Sequence, residues 1–184
     1  MKKIILTGLI ALLVIGCNNN AGNFQRLSDK SCVPYTQASP KPALTEEWQP
    51  YLASTQICPL VKKAGDKPAI MLVSVSLAEA TVNKNESDLW DSIPKPMLIN
   101  EKGLCVARLP YLYPDDPPFE MQLSIGQWKE NIPGEIRLHI LNQAVDGDFD
   151  LPTLIWDSRN KKYEPEKTAT GDDNESQRIR CPIK

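Results

Sequence analysis

Histidine is almost missing from this chain: the 184 residues contain one, His139. A His-Glu-x-x-His metalloprotease helix cannot form, and no Gly-x-Ser-x-Gly turn or glycine-rich phosphate loop occurs. No two cysteines lie close enough for the C-x-x-C spacing that holds zinc. Lysine and arginine, 21 against 23 acids, are scattered rather than gathered into a stripe, so the footprint of a nucleic-acid binder is missing. No internal repeat is present, hydrophobic patterns of helical period stop within about ten residues, and strands and helices do not alternate as in an α/β enzyme. These absences exclude most catalytic architectures, and the chain reads as a protein that is not an enzyme and carries no cofactor.

What is there begins at the N-terminus. Met1-Lys2-Lys3 precedes an uncharged apolar run from Ile4 to Ile15, followed by Gly16-Cys17. A positive start, a short apolar stretch and a small residue before a cut are the parts of a secretion signal. A spanning helix needs about 20 apolar residues, and this run is shorter. Val14-Ile15-Gly16-Cys17 resembles the lipobox of bacterial lipoproteins. The resemblance implies removal of residues 1–16, a diacylglycerol on the Cys17 sulfur and fatty acylation (palmitate) of the new amine. Two acyl chains suffice for stable anchoring, at roughly 0.8 kcal/mol per buried methylene. Asn18 to Asn23 is polar and reads as a tether. Asn rather than Asp at position 18 points, by similarity to enterobacterial lipoproteins, to the outer membrane, with the chain facing the periplasm.

Four cysteines follow: Cys32, Cys58, Cys105 and Cys181. An even number in an exported chain reads as two disulfides. Three connectivities exist; Cys58–Cys105 with Cys32–Cys181 is favoured because the second pair would staple the two chain ends. All 16 prolines lie beyond Cys17, well above the roughly 5% average, which favours short strands joined by stiff loops.

The organisation expected is a signal over 1–16, a lipidated cysteine and extended lead over 17–42, and one disulfide-bonded domain over 43–184. Thr45 would cap a short helix through Glu46-Glu47-Trp48. Strands are expected at Ile57–Val61, Ala69–Leu77, Met97–Ile99, Leu104–Leu109, Phe119–Ile125, Gly134–Leu141, Thr153–Trp156, around Tyr163, and at Arg178–Ile183. Ala69–Leu77 lacks charge and reads as buried, whereas Phe119–Ile125 and Gly134–Leu141 alternate with a period of two. Ala64–Pro68 reads as a turn, Asn83–Asp88 as a polar loop, and Asp157–Lys162 as the tip of a hairpin. The fold class is all-β, an antiparallel β-sandwich or barrel-like domain with one short helix.

Few residues offer chemistry. His139 is expected on the polar face of its strand, as an ordinary surface residue. Ser92-Ile93-Pro94-Lys95 has Ser-x-x-Lys spacing, but Pro94 breaks the helical turn that motif needs. Asp146, Asp148 and Asp150 occupy positions 1, 3 and 5 of a calcium loop, with Asp157 at position 12. Leu151 stands where the loop needs glycine, so a solvated acidic turn is the better reading and no metal site is expected. The segment Leu109 to Pro118 is the most suggestive: four prolines stiffen it, Tyr111 and Tyr113 are of a type enriched at interfaces, and Asp115 and Asp116 add charge. These four residues are the candidate partner-binding set.

Cys58, the apolar strand Ala69–Leu77 and Gly103-Leu104-Cys105, behind a lipobox, resemble the type VI secretion immunity periplasmic lipoproteins: short lipoproteins with a cysteine pair flanking a central apolar strand. This chain carries a second pair besides. The resemblance implies a protein that binds and neutralises a toxin arriving in the periplasm. The leading expectation is therefore a lipid-anchored binding protein with a protein partner; the alternative is a structural or assembly lipoprotein of the envelope or of a secretion apparatus. A toxin gene beside this one would favour the first, and secretion-apparatus genes the second.

Overall fold

A computed structural model describes residues 25–26, 32–39, 41–80, 93–109, 119–142, 148–166 and 180–181. They form two antiparallel sheets and a small hairpin. The first sheet holds β1 (Gln25–Arg26), β7 (Phe119–Ile125), β10 (Glu135–Asn142), β12 (Leu154–Asp157) and β13 (Lys162–Pro165) in that order, with β11 (Phe149–Asp150) also paired to β10. The second is a meander of β2 (Val33–Pro34), β3 (Thr55–Leu60), β4 (Ile70–Val75), β5 (Met97–Asn100) and β6 (Cys105–Arg108). Between β7 and β10 the chain makes a two-stranded excursion, β8 (Trp128–Lys129) and β9 (Ile132–Pro133).

The all-β sandwich expected from the sequence is the fold found. The alternation in β7 and β10 explains the first sheet. Their register pairs Leu123 with Leu138 and Ile125 with Ile136, placing these residues on one face. That face joins Leu154, Trp156 and Tyr163 in a core against Leu60, Ile70, Leu72 and Leu98 of the second sheet. At the join, Tyr163 donates its hydroxyl to the Pro133 carbonyl at 2.7 Å and meets Trp156 edge-on at 5.0 Å. Burial pushes the Tyr163 phenol well above its ordinary pKa of 10.0.

The second sheet is buried on both faces, which is why Ala69–Leu77 does not alternate. Ile70 and Leu72 point into the core between the sheets, while Val73 and Val75 point away into a second core with Ile57, Met97 and Ile99. A 3₁₀ segment, Glu46–Ser54, covers that second core with Trp48, fully buried, and Tyr51. The architecture is thus three layers: sheet, sheet and 3₁₀ cover. In β6 the alternation fails for a local reason. Ile99 pairs with Cys105 but Leu98 pairs with Ala107, so Val106 is an inserted bulge residue, and both Val106 and Ala107 enter the core between the sheets.

Several expectations need correction. Thr45 does not cap through its side chain: its hydroxyl donates to the Glu47 carboxylate at 3.2 Å, while Trp48 N–H reaches the Thr45 carbonyl at 3.0 Å. Glu47 is also held by Arg108 at 2.6 Å, which aims the acid at sheet two. The strand expected to run to Leu77 ends at Val75, and a one-turn helix, α1 (Leu77–Ala80), follows, its Ala80 N–H bonded to the Ser76 carbonyl. Arg180 and Cys181 lie outside any strand despite the alternation of Arg178–Ile183.

The disulfides are present, but the favoured pairing is overturned. Cys32 is bonded to Cys58, and Cys105 to Cys181. The cause is register. Val33 pairs with Ile57 and Pro34 with Gln56, so Cys32 stands directly across from Cys58, with Cα atoms 4.0 Å apart. Cys105, on the opposite edge strand, receives the C-terminal segment instead. The two chain ends are not stapled to each other; the first is bolted to β3, one strand in from an edge, and the second to β6 at the opposite edge of the same sheet.

Candidate functional site

The second sheet has two structurally different ends. At one end, turns join β3 to β4 and β5 to β6. At the other, β6 gives way to the segment beginning at Pro110.

The turn end carries an open groove of about 410 Å³, in which apolar surface predominates. Its floor is the outer face of the sheet near the β2 edge: Ile57 and Pro59 of β3, Met71 of β4, and Val33 of β2. Val33 is 37% exposed, one of two large apolar residues in that state among the described residues. The lead builds one wall. After β2 it makes a 3₁₀ turn, Tyr35–Gln37, closed by Ala38 N–H on the Pro34 and Tyr35 carbonyls, and this sets Ala38 and Ser39 beside the groove. The lead is then pinned by Tyr35, whose hydroxyl donates to the Pro42 carbonyl at 3.3 Å.

The two turns form the mouth. In the first, Asp66 accepts the Lys63 N–H at 3.1 Å through its carboxylate and donates its own N–H to the Lys63 carbonyl; Gly65 supplies φ +90°. In the second, the Asn100 side chain accepts from Lys102 N–H and Leu104 N–H, and Gly103 has φ +74°. Glycine is required at 103 for a second reason. A β-carbon there would stand 2.6 Å from the backbone nitrogen of Ala43 in the lead. Lys67 bridges the turns through Glu101 at 3.0 Å. That hydrogen bond and charge, assisted by the charge of Lys102, hold the Glu101 carboxyl below its usual range. Lys62, Lys63, Lys67 and Lys102 are all exposed on these turns, and of the four Lys67 lines the groove, together with Asp66 and Glu101.

His139 is the other polar cluster. It stands on the outer face of the first sheet, opposite Gln122 on β7 and Asp150 on β11. Its Nδ1 lies 2.7 Å from Asp150 Oδ1, and its Nε2 lies 4.0 Å from Asp148 Oδ2. The carboxylates approach different ring nitrogens and so do not converge on one point, as ligands of a single ion must. The pair fastens β11 to β10. Asp157 is committed elsewhere: its carboxylate accepts Arg159 N–H at 2.8 Å and the Asn160 amide at 2.7 Å, closing the turn before β13. The Arg159 bond, first among these contacts, holds its carboxyl below the usual range. Asp146 lies outside the described residues, as do Cys17, Ser92, Tyr111, Tyr113, Asp115 and Asp116.

The sequence reading missed the groove. Val33, Pro59, Met71 and the turn at 63–67 come from separate segments, and only the partial apolarity of Pro59-Leu60-Val61 beside Lys62-Lys63 hints at an apolar surface meeting a basic one. No family model matches the chain, and neither a curated protein nor a solved structure matches it.

Proposed function

We propose that this chain is a lipid-anchored binding protein of the bacterial envelope, held at the outer membrane by acylated Cys17 and facing the periplasm. It acts by recognising a protein partner through the segment carrying Tyr111, Tyr113, Asp115 and Asp116. Neutralisation of a periplasmic toxin is the finer form of the proposal. Two disulfides suit an oxidising compartment, which supports export.

The observation that supports the binding reading best is the fixed footing of that segment. Leu109 is fully buried, and its N–H donates to the Pro96 carbonyl at 2.7 Å. The strand before it, β6, is tied covalently through Cys105. Phe119 opens β7, which pairs with β10 at seven consecutive positions. Loops whose two ends are set on a rigid scaffold are where binding residues commonly sit.

Two measurements test this. Cells expressing the protein should incorporate labelled palmitate into it, and Cys17→Ala should abolish the label; retained label would refute the anchor. Replacing Tyr111 and Tyr113 with alanine should weaken capture of the partner from membranes more than it lowers the melting temperature. The reverse pattern would make both tyrosines core residues and end the contact reading.

A further inference from the structure

We infer that two adjoining hairpin tips at one end of the first sheet, residues 129–131 and 158–162, form a contact surface for an acidic face of a protein. β7 begins directly after the segment carrying Tyr111 and Tyr113 and runs towards the first of these tips. The surface therefore lies at the other end of that strand, and the inference rests neither on that segment nor on the anchor.

Three observations carry it. The first is that the tips share one end. β8 and β9 pair Trp128 with Pro133 and Lys129 with Ile132, which leaves Glu130 and Asn131 at the turn. β12 and β13 pair Asp157 with Lys162, which leaves 158–161 at the second turn. The Trp156 N–H donates to the Gly134 carbonyl at 3.0 Å, and the Tyr163 hydroxyl to the Pro133 carbonyl at 2.7 Å. The two hairpins are thus joined at their bases, on a rigid scaffold of the kind that presents binding loops. The second is strain. Among the described residues, two that are not glycine have positive φ: Glu130 at 57° and Lys161 at 52°. One stands at each tip. This left-handed region disfavours any residue with a β-carbon, and glycine would occupy it without that cost. Two exposed charged side chains are therefore held out to solvent against the preference of their own backbone. Residues kept in such conformations cluster at functional positions. The third is charge. Lys129, Arg159, Lys161 and Lys162 are exposed at the tips, and none of the four is in an ion pair among the described residues. The acids beside them are Glu130 and Asp157, and the Asp157 carboxylate already accepts the Arg159 N–H and the Asn160 amide. Glu135, next inward, is neutralised by Arg137 at 2.6 Å, and Glu164 lies farther along β13, away from the turn. An acidic surface complements the excess of cations, and like charge would exclude a basic one. Glu130, kept among the cations at a backbone cost, fits a protein face that fixes register and not an anionic lipid surface, which would only repel it.

The test places a photo-crosslinking residue at Asn131 or at Ser158 of the full chain, made in the cells it comes from. A third position, Leu104, is exposed on the second sheet and serves as the control. Asn131 and Ser158 should each give an adduct with the same protein, crosslinked within a peptide rich in Asp and Glu, and Leu104 should not give it. Arg159→Glu with Lys162→Glu should lower the yield of that adduct at least fivefold with the melting temperature unchanged. Glu130→Gly and Lys161→Gly should each raise the melting temperature by roughly 1–3 °C through relief of strain, and each should still lower the yield at least twofold. Opposite signs for stability and contact are what a purely structural role would not produce. The inference is overturned if neither tip gives a protein adduct, if the adduct is an anionic lipid, or if Leu104 gives the same adduct. It is equally overturned if the glycine variants lower the melting temperature, or if they raise it and leave the yield unchanged.

Discussion

Cleaving the unreduced protein with trypsin tests the disulfide framework directly, because the cutting pattern separates the observed pairing from the other two. Lys41 precedes a proline and resists cleavage, so Cys32 and Cys58 fall within one peptide, residues 31–62. Cys105 falls in residues 103–108 and Cys181 in residues 181–184. The observed pairing therefore yields peptide 31–62 closed on itself, lighter than its reduced form by the two thiol hydrogens, and a separate linked pair of two very short peptides. Pairing Cys58 with Cys105 and Cys32 with Cys181 would instead join all three peptides into one species.

The energetic consequence follows from the loops that each bond closes. The chain-entropy relation gives roughly 3.5 kcal/mol for the Cys32–Cys58 separation of 26 and roughly 4.5 kcal/mol for the Cys105–Cys181 separation of 76. Cys58 is buried in the core between the sheets, so its truncation to alanine adds about 1 kcal/mol of lost packing. The two double-alanine variants should then lose similar amounts, each about 4–5 kcal/mol, read from the urea midpoint and slope together, because the unfolded chain expands once its crosslink is gone and the slope steepens. Stabilities are commonly about 5–15 kcal/mol, so either loss is large. The linked three-peptide species would refute the connectivity. A loss below about 1 kcal/mol for either double variant would refute the view that the bond constrains the chain end it holds.

Tyr163→Phe removes the donor to the buried Pro133 carbonyl and should cost about 1–3 kcal/mol in urea unfolding; a neutral outcome would mean that carbonyl finds another partner. The same residue predicts an alkaline effect: above pH 10.0 the unfolded chain releases this proton and the folded chain keeps it, so stability falls as pH rises, and Tyr163→Phe should flatten that fall. Gly103→Ala should cost about 2 kcal/mol or more, since positive φ and a 2.6 Å approach to Ala43 act together, whereas Gly65→Ala, strained but with nothing near its β-carbon, should cost only about 1 kcal/mol. Equal melting temperatures for the two glycine variants would show that the lead does not press on the turn.

What the sequence made legible was whatever depends on a residue and its near neighbours. The period of two in Phe119–Ile125 and Gly134–Leu141 located β7 and β10 and the faces they bury, because side chains alternate whatever strand lies alongside. The charge-free run Ala69–Leu77 marked a buried strand, and the 3₁₀ cover over Val73 and Val75 is the physical reason that burial extends to both faces. What stayed hidden depends on which segments become neighbours. Cys32 meets Cys58 because a two-residue strand pairs Val33 with Ile57, a strand too short to leave any periodicity. The inserted Val106 breaks the alternation of β6 for a reason visible only in its pairing with β5. The groove is hidden for the same cause: its floor, wall and mouth are separate segments, and none of them is unusual alone.

The disulfide geometry bears on the proposed anchor in a way that neither does alone. If Cys17 is fixed in a membrane, any pull on the domain enters through the lead. The first described contact of that lead is β1, which pairs with β7 at only two positions, Gln25 with Leu123 and Arg26 with Gln122. Two pairs of an edge strand are a weak fastening, because strand stability grows with the number of paired residues and with the face they bury. The next contact is covalent: Cys32 joins Cys58, whose strand pairs with β4 over six positions between two buried cores. Load from the tether is therefore passed past the edge and into the middle layer, where both faces are packed. The opposite chain end reaches the far edge of that same layer through Cys105–Cys181. On this reasoning the two bonds matter about equally for a free protein, and the first matters more for an anchored one. Anchoring should accordingly fail sooner in Cys32→Ala/Cys58→Ala than in Cys105→Ala/Cys181→Ala when membranes carrying each variant are treated with protease and release of the domain is followed. Faster release of the second variant would sink the idea.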